Sequence, residues 1–240
     1  MPKVFGWQHI VYLVIFVAAF AATLTVIKLK VKSERTLNII IKSLGGLLLA
    51  LIIFNRIAIA FHRHDAWGLV PDSFCGMTSL CLAICALVCK KDALPFHCLA
   101  YIAFWGGAIT TFYPDFIGQA SSVMYPATIS GLLHHGVACY LAVLLVVCGF
   151  VKPSLKKFYA FPVGLCFMMC YGLFLIDAFK FESAMYIGAP LVKGTFLTWY
   201  VVAALLIGAT LGGVALYEYI LGRLQKKRLS EQTEQTEQKE

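Results

Sequence analysis

The chain is short of charge. Only 13% of its 240 residues are Asp, Glu, Lys or Arg, about half the ~25% of soluble domains. With 60% apolar residues and a mean hydropathy of +0.82, a water-soluble globule of this size cannot hide its apolar surface in one core. A disordered chain is excluded for the same reason. The nine cysteines form no CxxC and no loop pairs; all lie within apolar stretches. That speaks against a disulfide framework or a thiolate metal cage, and for thiols that pack as small hydrophobes. Also missing are the alternating runs of a closed barrel, a small-residue cleavage site after the first apolar run and any internal repeat of the transporter kind.

Long apolar runs are plentiful. At about 20 residues per bilayer crossing, they predict an all-α polytopic membrane protein with seven transmembrane helices, at 7–27, 39–61, 69–89, 94–113, 127–150, 158–179 and 196–222. Residues 1–225 then form one seven-helix transmembrane domain and 226–240 a polar tail. The net charge of +8 is a topology signal rather than a nucleic-acid footprint, because the cations cluster between the spans. Fifteen of them, from Lys28 to Lys239, fall in the 1–2, 3–4 and 5–6 connections and the tail, against Lys3, Arg63, Lys180 and Lys193 on the other side. Cationic loops stay in the cytoplasm, so the expected topology is N-terminus outside and C-terminus cytoplasmic.

Polar side chains inside the spans are the candidates for function, since each costs free energy in hydrocarbon unless it has a partner. They are Asn55 and Arg56 in the second span, Cys75 in the third, Ser130, His134 and His135 in the fifth, and Asp177 in the sixth. At 1.5 Å per residue these lie within about 12 Å of the outer ends of four spans. Bland roles stand beside each. Asn55 serves as interhelical glue, Arg56 snorkels or pairs with Asp177, and Ser130 bonds His134 four residues on. Neighbouring histidines diverge by about 100°, which makes one of the two structural. A thiol, an imidazole and an amide at one depth also suit acyl transfer, as nucleophile, base and oxyanion or tautomer support. Gly45, Gly46, Gly106, Gly107, Gly131 and Gly136 suit close helix approach, as does the Gly208-x-x-x-Gly212 step. The connection Tyr113–Pro126 is a candidate lipid gate. Nothing calls for a cofactor or a metal; His62, His64 and Asp65 read as a solvated edge.

Ala103-Phe-Trp-Gly-Gly-Ala-Ile-Thr-Thr-Phe-Tyr-Pro-Asp115 resembles the signature of the YwaF-like integral membrane proteins. Pro71-Asp-Ser-Phe-Cys75, Tyr125-Pro126 and His135-Gly136 are similar to further elements of theirs, and the likeness spans about residues 45–220. Their pattern places a histidine two residues before the cysteine, where this chain has Ser73. The related transmembrane protein 164 family comprises acyltransferases of ether phospholipids, and a distant branch hydrolyses fatty-acid esters. The resemblance implies Cys75, His135 and Asn55 as the catalytic residues, with His135 preferred over His134 because it precedes the glycine. It also implies a phospholipid or acyl-lipid substrate and no nucleic-acid partner. The alternatives are a small-solute carrier or channel, and a catalytically silent subunit of a membrane complex. A homo-oligomer or a membrane partner subunit fits any of these, and a bacterial chain of this kind belongs in the plasma membrane.

Overall fold

Helix boundaries follow local chemistry. The computed structural model describes residues 2–188, 190–191 and 194–237. Among these residues it has seven α-helices: α1 (Trp7–Lys30), α2 (Glu34–Arg63), α3 (Phe74–Val88), α4 (Leu94–Phe112), α5 (Pro126–Val147), α6 (Ala160–Phe179) and α7 (Trp199–Glu237). Ser33 caps α2 by accepting from the Thr36 N–H, and Ser73 caps α3 by accepting from the Gly76 N–H, each satisfying an orphan donor of the first turn. Pro95 and Pro126 open α4 and α5 at positions where a missing N–H costs nothing.

The helices end within a few residues of the expected spans at most boundaries. The third begins at 74 rather than 69, because Val70 precedes a proline and stays extended (φ −79°, ψ 128°). At 15 residues, α3 is about 22 Å long, short of the ~30 Å hydrocarbon core. Helices α1, α2, α5, α6 and α7 are long and apolar enough to cross a membrane. Helix α4, with its histidine, paired glycines and two threonines, is not among those five. The α7 backbone runs on through the polar tail to Glu237. Lys193 and Lys239, both counted in the charge tally, lie outside the described residues.

The axis of the bundle is α5, of whose apolar window 67% is buried, against 0% for α1. It packs on α2 and α4, with α3 between those two and α6 on α4. Glycines set the closest approaches. A Cβ at Gly45 would sit 2.7 Å from the Ala86 side chain, and one at Gly107 would sit 2.6 Å from the His135 carbonyl. Gly106, Gly131 and Gly136 are likewise filled by neighbours, whereas Gly46, Gly208 and Gly212 have nothing within 4 Å. The expected close-packing step of α7 therefore packs against nothing among the described residues.

Connections gather at two ends. At one, the Gln8 carboxamide oxygen accepts from the Val123 N–H and His62 bonds the Tyr125 hydroxyl. At the other, Lys91 donates to Glu34, and Asp92 takes both His97 Nε2 (2.7 Å) and the Lys157 ammonium. Glu218 of α7 accepts there from the Leu155 N–H at 3.0 Å.

Two outcomes follow. Gly107→Ala lowers the thermal midpoint in detergent, by overpacking worth about 1–3 kcal/mol, while Gly208→Ala leaves it unchanged or raised. The Lys157 hydrogen bond, seconded by His97, holds the Asp92 carboxyl below the usual carboxylate range. A carboxyl lowered by folding stabilises above its unfolded value of about 3.9 and loses that contribution as pH falls through the lower folded value. Unfolding titrations of wild type and Asp92→Asn thus show a gap that is constant from about pH 8 to about pH 5 and closes below about pH 4.

Candidate functional site

Cys75 occupies the second position of α3, just inside the Ser73 cap. Its sulfur faces α4, where the absent side chain of Gly106 leaves room: a Cβ there would lie 3.0 Å from Sγ. One turn on, Thr110 Oγ1 is 3.7 Å from Sγ. The thiol lines a cleft of about 100 Å³ whose walls come from Ile102, Gly106, Ile109 and Thr110 of α4, Leu165 of α6, and Val202 and Leu206 of α7. Tyr186, from the connection between α6 and α7, also lines it. Burial pushes the Tyr186 phenol up, with Cys75, Asp115 and Asp72 adding to the effect.

The other predicted residues gather on the α2–α5 side. Asn55, 1% exposed, donates to Ser130 Oγ (3.0 Å) and to the Ala127 carbonyl (3.3 Å) and accepts from Arg56 (2.8 Å). Its amide is therefore engaged away from both imidazoles. Ser130 donates to the Pro126 carbonyl, so the expected Ser130–His134 bond is not formed. His134 Nδ1 pairs instead with Ser79 Oγ of α3 at 3.2 Å. Ser79 lies four residues from Cys75, one turn or about 6 Å along the helix axis. His135 stacks on Phe116 (5.9 Å), and its Nδ1 is buried without a partner. The two histidines do not divide into one inward and one outward residue. Both are buried, and their rings approach to 4.0 Å, because Ser79 draws one and Phe116 draws the other. Phe116 also fills the space at Gly131, so this part of the Tyr113–Pro126 connection is anchored against α5.

Arg56 does not pair with Asp177. Its carboxylate is Asp72 (3.5 Å), which Arg63 shares at 3.2 Å. Asp177 is 95% exposed, with Lys180 at 3.9 Å; it sits on the outer face of α6, away from the site. Thus Asn55, Arg56, Ser130, His134 and His135 come together, Cys75 lies one turn before Ser79 on the same face of α3 with its sulfur toward Gly106 and Thr110 of α4, and neither imidazole is a hydrogen-bond partner of the thiol. Sequence reasoning missed four residues. Ser79 is signalled only by its i+4 spacing from Cys75, and Thr110 by its place within the Trp105–Asp115 stretch. Asp72 is signalled by the proline–aspartate before the cap, and Tyr186 by nothing local.

Truncating Asn55 to alanine removes the donor shared by Ser130 Oγ and the Ala127 carbonyl and leaves Arg56 short of an acceptor. Loss of about 1–3 kcal/mol is expected in detergent unfolding. Asn55→Asp, which keeps shape and acceptors but loses the amide donor, is expected to fall between alanine and wild type.

No curated protein and no solved structure matches the chain. The TMEM164 family profile matches residues 4–216, which takes in α1 to α6, the thiol, the polar seam and the first part of α7. A run of helices built for a bilayer, with this match over nearly its whole length, places the chain in the TMEM164 family.

Proposed function

We propose that this membrane protein is a lipid acyltransferase, or an ester hydrolase where water replaces the acceptor, with Cys75 as nucleophile. The observation that carries the reading is a thiol set in the wall of an otherwise apolar cleft bounded by α4, α6 and α7. Apolar walls suit the hydrocarbon of a phospholipid or other acyl lipid, and a carbonyl beside Sγ is open to thioester formation. On this reading all seven helices cross the bilayer. The N-terminus is outside, the cationic connections are cytoplasmic and the cleft is in the outer leaflet.

The roles divide between the thiol cleft and the polar seam. His135, with His134 beside it, takes the thiol proton and returns it to the leaving alcohol; the Ser79 link places His134 one turn from Cys75. Asn55 acts as a positioning residue that holds Arg56 and the first turn of α5 in place. Supporting this assignment, His135 Nδ1 is buried and free of protein partners.

A second reading has its own observation. Arg56 Nε and His135 Nδ1 both lie unpartnered in one buried seam, which suits a small solute and hence a carrier or channel. The two readings part on one mutant. In vesicles with a labelled acyl lipid, Cys75→Ala is expected to abolish acyl turnover and thioester capture while expression and thermal midpoint stay at wild-type values. Unchanged turnover, or solute flux indifferent to the mutation, would favour the second reading.

A further inference from the structure

The connection from α6 to α7 contains two consecutive residues, Met185 (φ +50°) and Tyr186 (φ +56°), in the left-handed region. Neither is glycine, and side-chain crowding makes that conformation unfavourable for both. It persists because the surroundings fix it. The Met185 N–H donates to the Asp72 carbonyl at 2.9 Å. The Met185 side chain, fully buried, fills the space left by Gly172, where a Cβ would come within 2.8 Å of it. Ile187 closes the turn by donating to the Ala184 carbonyl at 2.9 Å, and Ser183 donates to the Ile187 carbonyl. Strain held this firmly beside a cleft is the pattern of a side chain placed for a task.

The side chain so placed is the Tyr186 phenol. Its ring stacks on Phe74, with centroids 6.3 Å apart and planes at 15°. It lines the same cleft as Cys75 and Thr110. Thr110 is already engaged with the thiol, and the Asn55 amide is spent on Ala127 and Ser130. Among the described residues lining the cleft, the uncommitted side-chain donors are the Tyr186 phenol and the Trp199 indole, and of the two the phenol is the one set in place by the strained turn. Burial keeps its proton on, which suits donation rather than acid catalysis.

We infer that Tyr186 donates a hydrogen bond to the carbonyl oxygen of the acyl ester attacked by Cys75. The inference rests on the acyl-transfer reading. As the Sγ–C bond forms, the carbonyl π pair moves onto oxygen, and the phenol stabilises that oxyanion while keeping its own proton. The pair returns, the C–O bond breaks, and the alcohol departs with the proton that the thiol gave up to an imidazole. An acceptor hydroxyl, or water, then attacks the thioester; the S–C bond breaks and the thiol recovers its proton. The strained turn is the device that holds the donor over the thiol.

The test uses full-length protein in phosphatidylcholine vesicles and a p-nitrophenyl ester of a medium-chain acid. Acylation of Cys75 is followed by intact mass and nitrophenolate release. Tyr186→Phe keeps the ring and its stack on Phe74 but removes the hydroxyl. The saturating acylation rate is expected to fall by about 100-fold, with half-saturation and thermal midpoint near wild type. Tyr186→Ala, which also loses the stack, is expected to raise the half-saturating concentration and lower the midpoint. If Tyr186→Phe acylates at the wild-type rate while Cys75→Ala is inert, the oxyanion role falls and the thioester reading stands. If Cys75→Ala releases nitrophenolate as fast as wild type, both fall together.

Discussion

A bilayer offers no hydrogen bonds, so every polar group that enters it must be satisfied by the protein itself. The Asn55 amide is where this chain meets that demand most completely. One side chain, 1% exposed, joins α2 to the first turn of α5 through Ala127 and Ser130 and hands its oxygen to Arg56. Arg56 passes the link to Asp72 at the mouth of α3, and the Asp72 carbonyl holds the Met185 turn. A single connected path of polar contacts thus runs from the centre of the bundle to the segment over the thiol cleft. Apolar packing brings α2, α3 and α5 together, and this path ties α2, the first turn of α5 and the mouth of α3 to one another.

Much of the fold was legible because hydropathy and helix length are properties of a linear string. Seven apolar runs became seven helices, and the third was cut short by Pro71 and the Ser73 cap, both readable in advance. Gly45, Gly106 and Gly107 read correctly as approach points. Gly208 and Gly212 did not, since a small residue permits contact without supplying a partner. Some of the contacts were legible too: Asn55 meets Ser130 and Arg56, and the two imidazoles lie side by side. Rotation about the helix axis was not. The string cannot say that Ser79, rather than Ser130, faces His134, or that Asp72, rather than Asp177, answers Arg56. Tyr186 lay further out of reach. Its position depends on a turn made by two residues with no glycine or asparagine to announce a left-handed backbone.

One face of α3 carries both Cys75 and the hydroxyl that bonds His134. The thiol sits in an apolar cleft toward α4, α6 and α7, and the imidazoles sit in a polar seam toward α2 and α5. Cys75 and Ser79, one turn apart on the same face of α3, connect the two. Sequence proximity of Cys75 to its cap and spatial proximity of Ser79 to His134 are therefore parts of one arrangement.

The outermost helix carries a consequence for biosynthesis. Helix α1 has the highest mean hydropathy of the five long apolar helices, 2.7, yet none of its apolar window is buried. It is fastened by His9 to the Thr111 carbonyl and by Tyr12 to the Leu132 carbonyl, across 102 and 120 residues of chain. At roughly 5–20 residues per second of translation, α1 waits about 5–25 s before its docking surface on α5 has been made. Its strongly lipid-loving sequence is what lets it stand alone in the membrane for that interval, and its late-closing clasps mark the moment when the newborn chain first becomes a bundle.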